Sequence, residues 1–167
     1  MRSIGLIAVG DPDRAILERV QTAVEREFRT TCLIDGRVDP RIAFHAERGQ
    51  YHSTVILEKL LHNGRINLGV TEVDLFIPIL TFVFGEAQLG GSAAVVSYHR
   101  LQQEFYGLPA DRRLLIERAQ KEAIHEVGHA CGLTHCEDYE CVMAASHAVE
   151  WLDIKSANLC AQCRSRL

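Results

Sequence analysis

The chain has 167 residues, 47% of them hydrophobic and 24% charged, enough to bury a core without cross-links and far from disordered or membrane compositions. Eighteen Lys and Arg against 22 Asp and Glu leave a formal charge of -4, so no global positive field gathers nucleic acid or anionic lipid. No apolar run approaches the roughly 20 residues that a membrane helix needs.

The N-terminal RSIGLIAVG is followed by Asp11, Pro12, Asp13 and Arg14 rather than a small-residue cleavage site, so it reads as a strand over Ile4 to Val9 and not as a secretory segment. A cytoplasmic location is expected. Ile16, Leu17, Val20, Ala23, Val24 and Phe28 recur at three- and four-residue spacing, predicting an amphipathic helix over Arg14 to Phe28. Thr30 to Ile34 reads as a second strand. Pro40 to Ser53 carries turn residues without a clean period and reads as a long surface loop. Val55 to Leu61 reads as a helix stopped at Asn63 and Gly64.

Three extended segments follow, Leu75 to Leu80, Thr81 to Ala87 and Ala93 to Tyr98, with the last two joined by QLGGS. Paired glycines favour a hairpin there, so the middle segment is expected to run antiparallel to its neighbours. At a sheet edge it could pair with an extended peptide. Asp111 is the expected N-cap of a long helix whose apolar stripe is Leu115, Ala119, Ala123, Val127 and Ala130, with Gly132 as terminator. Without repeats or a linker, residues 1–167 are expected to form a single compact domain. Its first 132 residues would supply a sheet and the long helix, and 133–167 a small metal-bearing subdomain.

The stretch HEVGHACGLTHCEDYECVM, residues 125 to 143, closes that helix. His125 and His129 stand at i and i+4, one above the other on one face, where they can grip one ion. Glu126 is rotated roughly 100° away, out of the ligand pair but near a metal-bound water as general base. Two satisfied histidines on an amphipathic helix are the alternative. Gly132 weighs against it: a left-handed turn there returns His135 as a third imidazole. Three neutral nitrogens leave an open position for water, the mark of a catalytic zinc.

Five of the six cysteines lie after residue 130, and without an export signal they argue for metal before disulfides. Cys136 and Cys141 are spaced by four residues, Cys160 and Cys163 by two, with eighteen between the pairs. That spacing suits a closed structural zinc, against the alternative of small buried hydrophobes and a reactive thiol. Cys32 and Cys131 read as core residues. His135 and Cys136 are consecutive, so in extended chain they point opposite ways, one toward each of two zincs. The structural zinc would then steady the chain that delivers His135 and Met143.

HEVGHACGLTH resembles the extended zinc motif of the metzincin metallopeptidases. Cys136, Cys141, Met143 and Cys160-Ala-Gln-Cys163 resemble the archaemetzincin branch, and upstream LGVTEVDLF, FVFGEAQ and AVVSYHRL resemble that family's sheet. The resemblance implies an α/β (α+β) fold: a mixed twisted sheet of four to five strands flanked by helices, a long active-site helix and a C-terminal four-cysteine zinc subdomain. It implies His125, His129 and His135 as ligands of a catalytic zinc, Glu126 as base and proton shuttle, and Met143 as the Met-turn residue beneath the imidazoles. Phe82 to Gln88 would be the edge strand along which a substrate backbone aligns.

Two departures or additions accompany it. No tyrosine closely follows Met143, and His147 is a candidate for substrate or proton contact, against the reading of a surface histidine. Glu86 is a candidate anchor for a substrate's amino terminus, which would make the enzyme an aminopeptidase; a solvated edge carboxylate is the alternative. The expected function is a zinc-dependent peptidase, monomeric, with two zincs per chain, peptide or protein substrates, and no nucleic-acid or membrane partner. The competing reading is a catalytically idle, zinc-stabilised module that binds a protein partner.

Overall fold

A computed structural model describes residues 2–62 and 64–167 of the chain. In chain order the elements are β1 (Ile4–Val9), α1 (Arg14–Phe28), β2 (Cys32–Val38), β3 (Phe44–His45), β4 (Gln50–His52), α2 (Ser53–Leu60), β5 (Ile66–Thr71), β6 (Leu75–Phe76), β7 (Gly85–Ala87), β8 (Ala93–Ser97), α3 (Arg112–Ala130), α4 (Val149–Ile154) and α5 (Ala161–Arg164). Five strands form one sheet in the order β2-β1-β5-β8-β7. The first four run parallel; β7 pairs antiparallel with β8 and forms an edge.

Strand alternation builds two cores. Ile4, Leu6 and Ala8 face α1 and α3 together with Leu68, Val70, Ala94 and Val96. Ile7, Val9, Ala93 and Val95 face α2. Helices on both faces explain why β1, β5 and β8 are buried throughout. Asp13 caps α1 by accepting from the Ala15 and Ile16 amides, and Asp111 caps α3 by accepting from Leu114. No helix among the described residues is long and apolar enough to cross a membrane.

The first strand and helix fall where the periodicity places them, but three expectations need correction. Periodicity does not find the central strand β5, because Asn67 and Gly69 interrupt its apolar run; only the resemblance of LGVTEVDLF touches it. The fold uses both: Asn67 donates its buried amide to Leu60 O at 2.9 Å, and a Cβ at Gly69 would lie 2.7 Å from Leu60 Cδ1. Strand β2 extends to Val38, since Asp35, Gly36 and Arg37 are exposed at the other sheet edge and owe nothing to apolar patterning. The expected loop over 40–53 holds a short 3-10 turn, Pro40–Ala43, and the hairpin β3–β4, which joins β6 in a second sheet. Two- and three-residue strands are too short to display a period. The expected helix stop at Asn63 lies outside the described residues.

The extended segments from Leu75 to Ala87 are mostly irregular. Only Leu75–Phe76 and Gly85–Ala87 are strand, with a single antiparallel bridge between Leu75 and Val83. Arg48 donates to Leu80 O at 3.1 Å and Gln50 to Thr81 O at 3.0 Å. The β3–β4 hairpin thereby holds the segment before β7 in place.

Helix α3 buries a second, polar face. Arg118, Lys121, Glu122, His125 and Glu126 are all buried beside the apolar stripe. Residues 133–167 pack on this seam. Arg118 makes a two-point ion pair with Asp153, at 2.7 and 2.6 Å, and donates to Leu101 O. Lys121 donates to Leu152 O at 2.9 Å.

Candidate metal centres

Helix α3 delivers His125 and His129 on successive turns, and Gly132, at φ 98°, turns the chain so that His135 returns to them. One ring nitrogen from each imidazole lies within 4.8 Å of the others. Nδ1 of His125 sits 2.9 Å from Val142 O, and Nδ1 of His129 sits 2.7 Å from Leu133 O. Carbonyls only accept, so each Nδ1 carries the hydrogen and each Nε2 presents a lone pair. Those two Nε2 atoms face one another at 3.0 Å, a repulsive arrangement unless a cation lies between them. Metal–nitrogen bonds of about 2.0–2.1 Å suit such a span, so the donor set fits zinc.

Burial lowers the basicity of all three imidazoles, well below the ordinary range for His125, and the Lys155 ammonium adds to it. Neutral imidazole is the ligand form. Glu126 is buried beside them, and desolvation followed by the neighbouring Glu122 carboxylate pushes its pKa well above the usual carboxylate range. A Cβ at Gly85 of β7 would stand 2.7 Å from both Cγ and Oε1 of Glu126 and 2.7 Å from Val95 O. Glycine at that strand position is what lets the Glu126 carboxylate lie against the edge strand. Above it opens a cleft of about 460 Å³, walled by Leu80 to Ala87 on one side and by Ala145, Ser146 and His147 on the other, with the imidazoles and Glu126 at its floor.

Met143 is fully buried, and its thioether presses on Gly128, so close that a Cβ there would collide with it. Glu86 lines the cleft too, but its carboxylate is already engaged. Its carboxylate accepts from the Ser53 hydroxyl at 2.5 Å and the Thr54 hydroxyl at 2.9 Å at the start of α2. Strand alternation sends Gly85 and Glu86 to opposite faces, so Glu86 serves the helix N-terminus. His147 is exposed at the cleft rim.

The four cysteines converge separately, their sulfurs within 4.8 Å of one another. Cys136 and Cys160 Sγ are 3.8 Å apart, the separation about 2.3 Å zinc–sulfur bonds give in a tetrahedron. Backbone amides aim at the sulfurs, Cys160 N at Cys141 Sγ (3.3 Å) and Cys163 N at Cys160 Sγ (3.4 Å). The Cys163 amide and the neighbouring sulfurs bring the Cys160 thiol down to about 7. Cys32 is buried in the core and Cys131 is half-buried against it; burial raises both thiols. The pattern reading missed Glu122, Lys155 and Gly85. Glu122 could have been found, as it falls one turn before Glu126 on the same face; the other two carry no local signal.

A helix bearing two imidazoles beneath an antiparallel edge strand, with a glycine turn returning the third, is the architecture of the metzincin class of metallopeptidases. Residues 42–167 match the profile of peptidase family M54. The archaemetzincin of Methanocaldococcus jannaschii is 44% identical over 160 residues, spanning 95% of this chain and 89% of that protein. The crystal structure of archaemetzincin from Archaeoglobus fulgidus, complexed with malonate, aligns with a TM-score of 0.85 at 34% identity, over 98% of this chain and 99% of that one. A zinc-dependent peptidase from Methanocorpusculum labreanum aligns at 0.87 and 30% identity, with the same coverage. The chain belongs to peptidase family M54, the archaemetzincins. That membership and the two donor groups support zinc as the metal.

Proposed function

We propose that the chain hydrolyses peptide bonds in the cleft above His125, His129 and His135, with Glu126 as general base and a second, structural zinc on Cys136, Cys141, Cys160 and Cys163. The observation that carries this reading is the pair of inward Nε2 lone pairs at 3.0 Å with a buried carboxylate beside them, at the floor of a cleft. Zinc bound by the three nitrogens supplies a Lewis acid that acidifies water toward a pKa of about 7 and polarises a carbonyl oxygen.

The chain's own groups do the rest. The free main-chain edge of β7 aligns an extended substrate antiparallel above α3, fixing which carbonyl reaches the floor of the cleft. Glu126 takes a proton from the attacking water on its carboxylate and passes it to the leaving amine nitrogen. Met143 gives the imidazoles an apolar floor. The cysteine cluster holds the segment that presents His135, whose neighbour Cys136 points the other way. Glu86 lines the cleft with its carboxylate committed to Ser53 and Thr54, which favours internal cleavage over an aminopeptidase.

Two measurements test the reading. Glu126→Gln is expected to lower peptide hydrolysis by roughly 10²–10⁴ while both zincs stay bound. Activity near wild type in that variant would remove Glu126 from the mechanism. Elemental analysis of His125→Ala/His129→Ala is expected to find one zinc where the unaltered chain has two; no change in metal content would refute the imidazole site.

A further inference from the structure

Resting on the imidazole site proposed above, we infer that Lys155 is a positioning residue for it, fixing the turn Cys141–Ala144 that holds His125 and the chain beside His135. Each carbonyl of this turn meets its own donor. Cys141 O accepts from Ala144 N at 2.9 Å, and Met143 O accepts from Cys136 N at 3.0 Å. Val142 O takes the Nδ1 hydrogen of His125 at 2.9 Å. Ala144 O takes a hydrogen of the Lys155 ammonium at 3.0 Å. Among these tethers Lys155 alone comes neither from the turn's own backbone nor from a residue beside or within the metal donor sets.

The burial of that ammonium argues for a purpose. The Lys155 side chain is 1% exposed and its nearest carboxylate, Glu122 Oε1, is 3.7 Å away on a side chain 5% exposed. At that distance no hydrogen bond forms, and Glu122 Oε1 has no partner among the described residues. Desolvating two charges for so loose a pair contributes little stability. What the ammonium does hold closely is the turn. It stands at the C-terminal end of α4, which Arg118 and Lys121 pin to α3, so the turn's position is referred back to the helix that carries His125 and His129. Losing an outer hydrogen-bond partner of a metal ligand costs about 10–100-fold in metal affinity, and Lys155 holds the turn that supplies such a partner, Val142 O.

The sign of the change separates positioning from plain electrostatics. Lys155 is a cation near a cation site, so deleting its charge, and leaving Glu122 uncompensated, would tighten metal binding if charge were all that mattered. Competitive zinc titration with a chromophoric chelator measures this, with His125→Ala/His129→Ala as the reference that retains the cysteine zinc alone. Lys155→Met is expected to keep the cysteine zinc and to hold the second zinc 10–100-fold more weakly. Unchanged or tighter binding of the second zinc overturns the inference.

Glu122→Met/Lys155→Met removes both charges at similar volume and guards against a single variant that fails to fold. It too is expected to bind the second zinc weakly, since Ala144 O still lacks its donor. Wild-type affinity in the double variant would mean that a stranded carboxylate caused the loss, and the inference falls. If neither variant folds, Lys155 is a determinant of the whole fold and not of this site, which also overturns it. An unaltered chain that binds one zinc defeats the imidazole-site reading itself, and this inference with it.

Discussion

The sheet half of the molecule and residues 133–167 are held together by different physics. From Ile4 to Ser97 the chain folds around strands buried on both faces, and most buried side chains there are apolar. Residues 133–167 contain two short helices, Val149–Ile154 and Ala161–Arg164, too short to stand alone. They join the main core through Val142, Met143, Val149, Leu152 and Leu159, but much of their order rests on groups that need partners: four cysteine sulfurs, Arg118 with Asp153, Lys121 and Lys155 on backbone carbonyls, and Glu27 with Arg164. Apolar burial tolerates small losses. A metal cage or a buried charge fails as a unit.

Removing a cysteine gives the largest expected effect and the sharpest test of that contrast. Cys163→Ser should release the metal of the cluster, whose apparent contribution in small zinc domains is about 10–16 kcal/mol. Residues 133–167 should then lose amide protection in hydrogen exchange while β1, β5 and β8 keep theirs, and zinc content should fall from two to none because His135 goes with Cys136. Protection retained across 133–167 would mean that packing alone orders this segment. Next in size is Arg118→Ala, which takes the buried guanidinium from the exposed Asp153 carboxylate and leaves Leu101 O without its donor. Its expected cost is about 1–3 kcal/mol in denaturant unfolding; a loss well under 1 kcal/mol would make the polar seam incidental.

Gly85→Ala probes the place where the two halves meet. The added methyl must displace Glu126 or move Val95 O, at a cost of about 1–3 kcal/mol. If Glu126 is the obstacle, the cost should shrink in a Glu126→Ala background, where the carboxylate is gone. Equal costs in both backgrounds would assign the strain to β8 alone, and Gly85 would have no bearing on the base.

What the sequence made legible follows the same division. Periodicity located β1, α1 and α3, because helices and doubly buried strands write their burial into residue order. It missed β5, where Asn67 is satisfied by Leu60 O and Gly69 by a neighbouring side chain, both facts of tertiary contact. The two donor sets were legible because ligand spacing is local: a helical turn for His125 and His129, a glycine turn for His135, paired cysteines at knuckle spacing. Lys155 was not, since its partners lie 11 and 33 residues away and no local spacing marks a lysine as buried. Glu86, weighed as an anchor for a substrate's amino terminus, accepts from the Ser53 and Thr54 hydroxyls, partners more than thirty residues away that no strand pattern announces.

The smallest effect concerns the helix that the two halves share. Asp111 caps α3 fourteen residues before His125, about 21 Å away along the axis at 1.5 Å per residue. Asp111→Ala should cost about 1 kcal/mol, a fall in Tm of about 2–4 °C, by fraying the first turn where Arg112, Arg113 and Leu114 contact no metal donor. Zinc affinity at the imidazoles should not change, because Arg118, Lys121 and the apolar stripe from Leu115 fix the helix between cap and site. A tenfold loss of zinc affinity in this variant would show that disorder travels along α3. The sheet half would then set the geometry of the metal site through the helix as a whole, and the seam beneath it would be less of a clamp than its buried charges imply.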